Sequence, residues 1–207
     1  MSRFDRTTRR LAVAGGALAL AAIPAAAHAS TLNVTYDATG TSHVAKTNSD
    51  IALGPTTLSL ALESADGSFT GHLKIPTATN TFRAVGLLPV SANVDFVEAA
   101  PVTGKLNRVG TTISIASTAS YYIKLSNVKV LGLPAFAGNY CQTEAPVSIP
   151  ANTPDGEVFS ITKGGNLAGS FTIGNFENCG LNTLLINLLI PGAGNTAELS
   201  VSNGRLG

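Results

Sequence analysis

Apolar residues recur at every second position through most of this chain, and this alternation constrains its fold more than any other feature of the sequence. Successive side chains of a β-strand point to opposite faces of a sheet, so a period of two is typical of strands with one buried face. The clearest alternating segments are Leu32/Val34/Tyr36, Leu58/Leu60/Leu62, Phe69 to Ile75, Val90/Ala92/Val94/Phe96, Ile113/Ile115 and Tyr121/Ile123/Leu125. Shorter candidates are Val128 to Val130, Val147 to Ile149, Val158 to Ile161, Leu167 to Ile173 and Ala197 to Val201.

Turn-forming sequences such as Asp66-Gly67, Pro154-Asp155-Gly156 and Gly164-Gly165 separate these segments. Short strands with regularly spaced turns are typical of antiparallel sandwiches and barrels. We therefore predict an all-β fold, an antiparallel β-sandwich of Ig-like, Greek-key or jelly-roll-like arrangement with about ten short strands. Residues 30–207 are expected to form one such domain.

The charge of the chain excludes a nucleic-acid-binding protein that works through a basic surface. Lys and Arg number 13, Asp and Glu number 12, and only 12% of the residues are charged. Four of the basic residues and one acidic residue lie in the first ten positions, which leaves nine basic and eleven acidic residues in the rest. The remainder of the chain is therefore close to neutral.

The first 29 residues have the three zones of a cleavable signal peptide. A basic start is followed by the apolar segment Leu11 to Ala27, and Ala27-His28-Ala29 precedes Ser30. We expect cleavage after Ala29. Arg9-Arg10 leaves twin-arginine export open as an alternative. The residues that follow this pair favour general secretion. With no cysteine at the cleavage point and no apolar C-terminal tail, the mature chain is predicted to be secreted, or held noncovalently at the cell envelope, without a transmembrane span.

Two cysteines, Cys141 and Cys179, remain in a chain predicted to be exported. An oxidising compartment and a single possible intramolecular pairing favour a disulfide that ties together the C-terminal part, about residues 138–207. The alternative is a catalytic or metal-binding thiol. A zinc site needs four ligands, and the mature chain offers only His43 and His72 beside the cysteines, with none of the close pairs usual in zinc sites, so we predict no metal site.

One segment departs from the period of two. Leu181, Leu184, Leu185, Leu188 and Leu189 have the spacing of one helical face, and Pro191-Gly192 ends the pattern. One short helix near 181–190 is therefore a possibility, and a strand is the alternative. The leucines are a candidate apolar contact patch for a lipid or a partner, although the interpretation favoured by the sequence is that they cap the core beneath covering loops.

Linear motifs of catalysis and of cofactor binding are missing. The chain contains no Gly-x-Ser-x-Gly sequence and no phosphate-binding glycine loop. Ser42 and His43 are adjacent, so on a strand their side chains point to opposite faces and cannot share a proton. The acidic residues are scattered singly, and few of the tyrosines could form a sugar-stacking platform. We predict no catalytic residue, no cofactor and no enzymatic activity.

Four segments of the chain resemble a group of uncharacterised secreted β-rich proteins of actinobacteria. The resemblance rests on Cys141-Gln142-Thr143, on Gly165 to Ile173, on Asn178-Cys179-Gly180 and on the segment Ile190 to Thr196. It implies export, a β-rich fold and a cysteine pair in the final third of the chain, and it assigns no catalytic or binding residue.

The sequence thus predicts a noncatalytic protein, secreted or associated with the cell envelope, that binds an apolar or lipid ligand or a cell-surface component. A structural or adhesive surface protein that associates with itself is the alternative, which oligomers without a small ligand would favour. A hydrolase without a recognisable linear motif comes third.

Overall fold

The computed structural model describes residues 30–84, 87–135 and 137–207. The predicted signal peptide and its cleavage after Ala29 lie outside these residues. Within them the strands are β1 Thr31–Val44, β2 Ser49–Ala52, β3 Thr56–Glu63, β4 Ser68–Leu73, β5 Ala78–Ala84, β6 Leu88–Val109, β7 Thr112–Val130, β8 Leu133–Pro134, β9 Gln142–Thr143, β10 Val147–Pro150, β11 Gly164–Ile173, β12 Phe176–Glu177 and β13 Gly192–Leu206. A 3₁₀ turn, Gly180–Asn182, leads directly into α1, Thr183–Leu189.

All strand pairs among the described residues are antiparallel, and the prediction of an all-β fold is confirmed. Hydrogen bonds join the strands in the order β11-β13-β1-β3-β4-β6-β7-β9-β12, with β2 beside β1, β5 beside β6, and both β8 and β10 beside β7. An isolated bridge between Asn152 and Ala168 also links the residues after β10 to β11.

Two strands are much longer than the sequence pattern suggests, because β6 has 22 residues and β7 has 19. Their pairing shifts register around Ala100, next to Pro101, which has no backbone N–H to donate. The first part of β6 pairs with β5 and the last part pairs with β4. The partner on the other side of β6 therefore changes from β5 to β4 across this irregular stretch.

The alternating residues form the core as predicted. Side chains of β1, β3, β4, β7, β11 and β13 meet in one buried cluster, so distant parts of the sheet face one another. Tyr36 and Tyr121 are buried in this cluster, where their hydroxyls donate to the carbonyl oxygens of Ile161 and Leu73, each at 2.7 Å. Burial raises the pKa of Tyr36 to about 12 and also raises that of Tyr121.

The predicted helix near 181–190 is confirmed, as the 3₁₀ turn followed by α1. The strand proposed at Val158 to Ile161 is wrong, because this segment is irregular and leads into a turn, and only Ser160 makes a β-bridge, to Gly164. Of the helices in the described ranges, none has the length and apolar character needed to cross a membrane.

Candidate functional site

The disulfide predicted from the sequence is formed, and it fixes the start of the helical segment to the sheet. Cys141 and Cys179 are bonded, with their Cα atoms 4.2 Å apart and both residues fully buried. The short strand that follows Cys141, β9, pairs with β12 and with Lys124 of β7. β12 ends two residues before Cys179. The chain just before the 3₁₀ turn is therefore attached both by the β9–β12 pairing and by the disulfide.

Asn187 holds the middle of α1 in place. Its side-chain Oδ1 accepts a hydrogen bond from the backbone N–H of Phe176 at 2.7 Å, and its Nδ2 donates to the carbonyl oxygen of Phe176 at 2.9 Å. The amide thus satisfies both backbone groups of one residue in β12, as a neighbouring strand would. Lys46 adds a bond from its Nζ to the carbonyl oxygen of Pro191, just after the helix.

A cavity of about 60 Å³ lies between α1 and the sheet. Its wall is almost entirely aliphatic and phenyl side chains, and it draws on α1 and on seven of the strands. The lining residues are Ser42, Val44, Thr47, Ile51, Asn80, Phe82, Val90, Ala92, Val94, Phe96, Ile123, Leu125, Val128, Val130, Ala135, Phe171, Ile173, Phe176, Asn182, Leu185, Ile186, Leu189 and Ile190.

The polar side chains of the wall are already engaged by neighbouring groups. Ser42 Oγ donates to the carbonyl oxygen of Thr196, and Asn80 Nδ2 donates to Ser49 Oγ at 3.0 Å. Thr47 Oγ1 shares a hydrogen bond of 2.7 Å with the same Ser49 hydroxyl. The wall therefore offers a ligand contact with hydrocarbon and little hydrogen bonding.

The five leucines of the candidate contact patch divide between two faces of the helical segment. Leu185 and Leu189 line the cavity, although Leu185 is also 42% accessible, while Leu181, Leu184 and Leu188 are exposed, with Leu181 98% accessible. The favoured interpretation that loops cover the patch is wrong for these three residues. Ile186 is the buried residue of α1 and Ile190 also faces the cavity, so the isoleucines take the inward positions.

The adjacent residues Ser42 and His43 point to opposite sides of β1, as their positions on a strand predict. Ser42 is buried, whereas His43 is on the surface and its Nδ1 lies 2.7 Å from Asp50 Oδ1. His72 is also on the surface, 3.0 Å from Glu98. No group of three or more His, Cys, Asp or Glu residues that could hold a metal ion occurs in the described part of the chain.

The tyrosines do not come together as a stacking platform. Tyr36 and Tyr121 are buried and hydrogen-bonded, while Tyr140 is exposed next to the disulfide. Their hydroxyl bonds give both buried rings a structural role in the core.

A second concave region is an open polar groove of about 740 Å³ on the outer side of β1, β13 and β11. Two carboxylates, Glu157 and Glu198, are part of its lining together with Thr39, Thr41 and Ser200. Glu157 accepts a hydrogen bond from Asn166 Nδ2 at 3.0 Å. The groove can offer hydrogen bonds to a hydroxylated molecule, but it lacks the apolar enclosure that surrounds the cavity.

Sequence reasoning missed most of the cavity wall, although a signal for it was present. Val90, Val128 and Val130 belong to the alternating segments, which mark them only as inward-facing, whereas Phe82 lies on β5, which the pattern did not indicate. Which inward residues leave a space between them depends on how β5, β6 and β7 meet α1. This packing brings together residues that are distant in the chain, so a local sequence pattern does not indicate it.

Comparisons of the sequence with protein-family models, with curated proteins and with solved structures find no match to this chain. The cavity beneath α1, with its apolar wall and its exposed leucines outside, is thus the feature from which we infer a function.

Proposed function

We propose that this protein is a noncatalytic binding protein that takes an apolar ligand, a lipid acyl chain or a hydrocarbon of similar width, in the cavity beneath α1. The observation that carries the proposal is the chemistry of the wall, in which Ser42, Thr47 and Asn80 are bonded to neighbours and the rest is mainly hydrocarbon. Small-molecule sites are typically concave and apolar. A polar group buried here would lose its bonds to water without replacement.

The size of the cavity fits a slender ligand segment. Its volume of about 60 Å³ is several times the roughly 10–15 Å³ that one water molecule requires on this measure. The part of the wall that can move at least cost is α1. It has seven residues, no side-chain cap at its start and a single buried residue, and isolated helices this short have little stability of their own. Outward movement of α1 would lengthen the space while Asn187 and the disulfide keep the segment attached.

An oxidising compartment outside the cytoplasm is the setting we propose for this binding, with the protein secreted or held noncovalently at the cell envelope. The buried Cys141–Cys179 disulfide supports such a location. The three-zone leader in residues 1–29 of the sequence supports it independently.

The test is a titration of the purified protein with cis-parinaric acid, a fluorescent fatty acid, followed by competition with palmitate. We expect saturable binding of one probe per chain, reversed by palmitate. Ala92→Leu adds methyl groups to the cavity wall and should weaken probe binding about tenfold, because the added atoms compete with the ligand for the same space.

The matched control is Ala119→Leu. Ala119 is also a buried alanine on a strand, but it lines a separate gap in the core of about 30 Å³. This variant carries the same overpacking cost and should bind the probe within about twofold of the unaltered protein. Circular dichroism confirms that both variants fold. No saturable binding by the unaltered protein, or an equal loss in both variants, would contradict binding in the cavity.

A second candidate function, self-association in a structural or adhesive role, is favoured by the exposure of Leu181, Leu184 and Leu188. Contact between copies would remove these side chains from water. Native mass spectrometry across the micromolar range distinguishes the two candidates: a bare multimer supports self-association, and a monomer with a lipid-sized adduct supports ligand binding.

A further inference from the structure

We propose that one end of the molecule docks on an anionic lipid surface. This end, called here the cavity end, consists of α1 with its preceding 3₁₀ turn, Leu87 before β6, and residues 131–133, where the chain turns from β7 into β8. The inference goes beyond the proposed function, because a surface can bind this end whether or not the cavity holds a ligand.

The cavity end gathers exposed leucines. Leu181, Leu184 and Leu188 project from the helical segment at spacings of three and four residues, which places them on one face. Leu87, which is 84% accessible, and Leu131 and Leu133 are exposed at the two turns. Six large apolar side chains at one end exceed the scattered single exposures that are normal for a protein surface.

The cavity shows that the turns and the helix lie at the same end. Val130 and Ala135, which flank the turn 131–133, both line the cavity whose opposite wall is α1. Val90, which follows Leu87 by three residues, also lines the cavity. The backbone N–H of Leu131 also donates to the carbonyl oxygen of Pro89 at 2.9 Å, so the two turns are joined directly.

The charge around these leucines is positive. Arg83 and Lys129 are the basic residues beside the two turns, since Arg83 pairs with Pro89 and Lys129 pairs with Pro134. Lys46 is bonded to Pro191 at the end of the helical segment. The sequence contains no Asp or Glu in 80–94, 125–143 or 178–197. Carboxylates close to these segments include Asp50 of β2, which is paired with His43, and Glu177 of β12.

Leucines surrounded by basic residues fit an anionic lipid surface. The apolar side chains can enter the boundary between head groups and acyl chains, while lysine and arginine stay at the level of the phosphates. A second copy is a poorer partner for this end, because a two-fold contact would bring Arg83 and Lys129 of both copies together with no carboxylate from these segments to neutralise them.

The test is co-sedimentation of the purified protein with vesicles of phosphatidylcholine alone and of phosphatidylcholine with phosphatidylglycerol. We expect binding to the anionic vesicles, weakened at least tenfold when Leu181, Leu184 and Leu188 are all changed to Ser, since their apolar area no longer leaves water. The control changes Val109, Val158 and Leu206 to Ser. These residues are also exposed but lie away from the cavity end, so vesicle binding should persist.

A second pair of substitutions tests the charge. Arg83→Gln with Lys129→Gln should reduce the preference for anionic vesicles about thirtyfold, because each of the two basic residues near such a surface contributes roughly 1 kcal/mol. Absence of vesicle binding, or equal binding by the serine variant and its control, overturns the proposal. A dimer in sedimentation velocity that the serine variant dissociates overturns it in favour of a second copy. The cis-parinaric acid titration of the serine variant is a separate readout, because Ala92 and the other cavity residues are unchanged.

Discussion

Asn195 shows how one buried side chain joins three segments of the chain. It is only 1% exposed and lies in β13. Its Oδ1 accepts from the backbone N–H of Ala45 at 3.1 Å, and its Nδ2 donates to the carbonyl oxygens of Phe171 and Gly192 at 3.2 and 2.7 Å. The buried amide thus satisfies one buried backbone group, the carbonyl oxygen of Phe171, and two part-buried ones.

We expect Asn195→Ala to lower the free energy of unfolding by about 1–3 kcal/mol, because it removes the partner of the buried carbonyl oxygen of Phe171 and the part-buried bonds to Ala45 and Gly192. Urea unfolding followed by circular dichroism measures the change. Asn166→Ala is the control, since Asn166 is exposed and bonds Glu157 at the surface, and its effect should stay within about 0.5 kcal/mol. Equal effects of the two substitutions would contradict the bonding described for Asn195.

Asp37 illustrates a charge effect at a single residue on the surface. Hydrogen bonds from Arg205 at 2.6 and 3.1 Å, and from Asn203 at 2.9 Å, lower the pKa of Asp37 to about 2. A lowered pKa in the folded state means that the ionised carboxylate stabilises the fold above its ordinary pKa of 3.8. That contribution is lost as the pH falls from there toward 2.

The corresponding prediction concerns Asp37→Asn. The difference in unfolding free energy between the unaltered protein and this variant should be constant from neutral pH down to about pH 5, and should shrink as the pH falls toward 2. Urea unfolding at a series of pH values measures it. A difference that stays the same throughout the acid range would show that Arg205 does not stabilise the ionised form.

Among the elements, the helical segment depends on its attachment more than on its own stability. The sequence of α1 contains no charged residue, so no acidic residue in its first turn and no basic residue in its last turn stabilises the helix dipole. The disulfide, the β9–β12 pair and the hydrogen bonds of Asn187 attach the helix to the sheet and so stabilise it.

Removing the disulfide by Cys141→Ala with Cys179→Ala should therefore loosen residues 176–190 before the rest of the sheet. The bond closes a segment with a sequence separation of 38 residues, so in the chain-entropy account its loss costs up to about 4 kcal/mol. Hydrogen exchange should show lost protection in 176–190 and retained protection in β1 and β3. Uniform loss throughout the sheet, or no loss in the helical segment, would refute this view.

The sequence predicts individual strands and the helix well, but it predicts poorly how these elements pack against one another. Leu58, Leu60 and Leu62 are inward on β3 as their spacing indicates, and the helix lies where the leucine spacing placed it. The face that α1 presents to the sheet matches the leucine spacing only in part: Leu185 and Leu189 line the cavity, but Ile186 and Ile190 take the other inward positions, which leucine spacing alone does not indicate. β5 was missed for a related reason: Ala78–Ala84 is short and mixed, and it becomes a strand by pairing with β6.

On the scale of the whole molecule, the candidate site depends on pairings between distant residues. The cavity needs the residues after β1, the ends of β5 and β7, and α1 in one place, and no local pattern encodes that meeting. The disulfide was predictable because two cysteines allow one pairing. The sequence indicates that the residues of the cavity wall are mostly apolar. That they enclose a cavity follows only from how the strands and α1 pack together.

The link between the residues after β10 and β11 has a consequence for solubility. Asn152 and Ala168 exchange two backbone hydrogen bonds of 2.9 and 2.8 Å, and the carbonyl oxygen of Pro150 approaches Gly169 where a Cβ atom would stand 2.0 Å away. A bare strand edge is a template on which another chain can add a strand and begin aggregation. Here part of that edge is already occupied by the chain itself. The bridge between Asn152 and Ala168 thus protects this edge of β11 from intermolecular β-pairing, in a chain rich in β-branched residues.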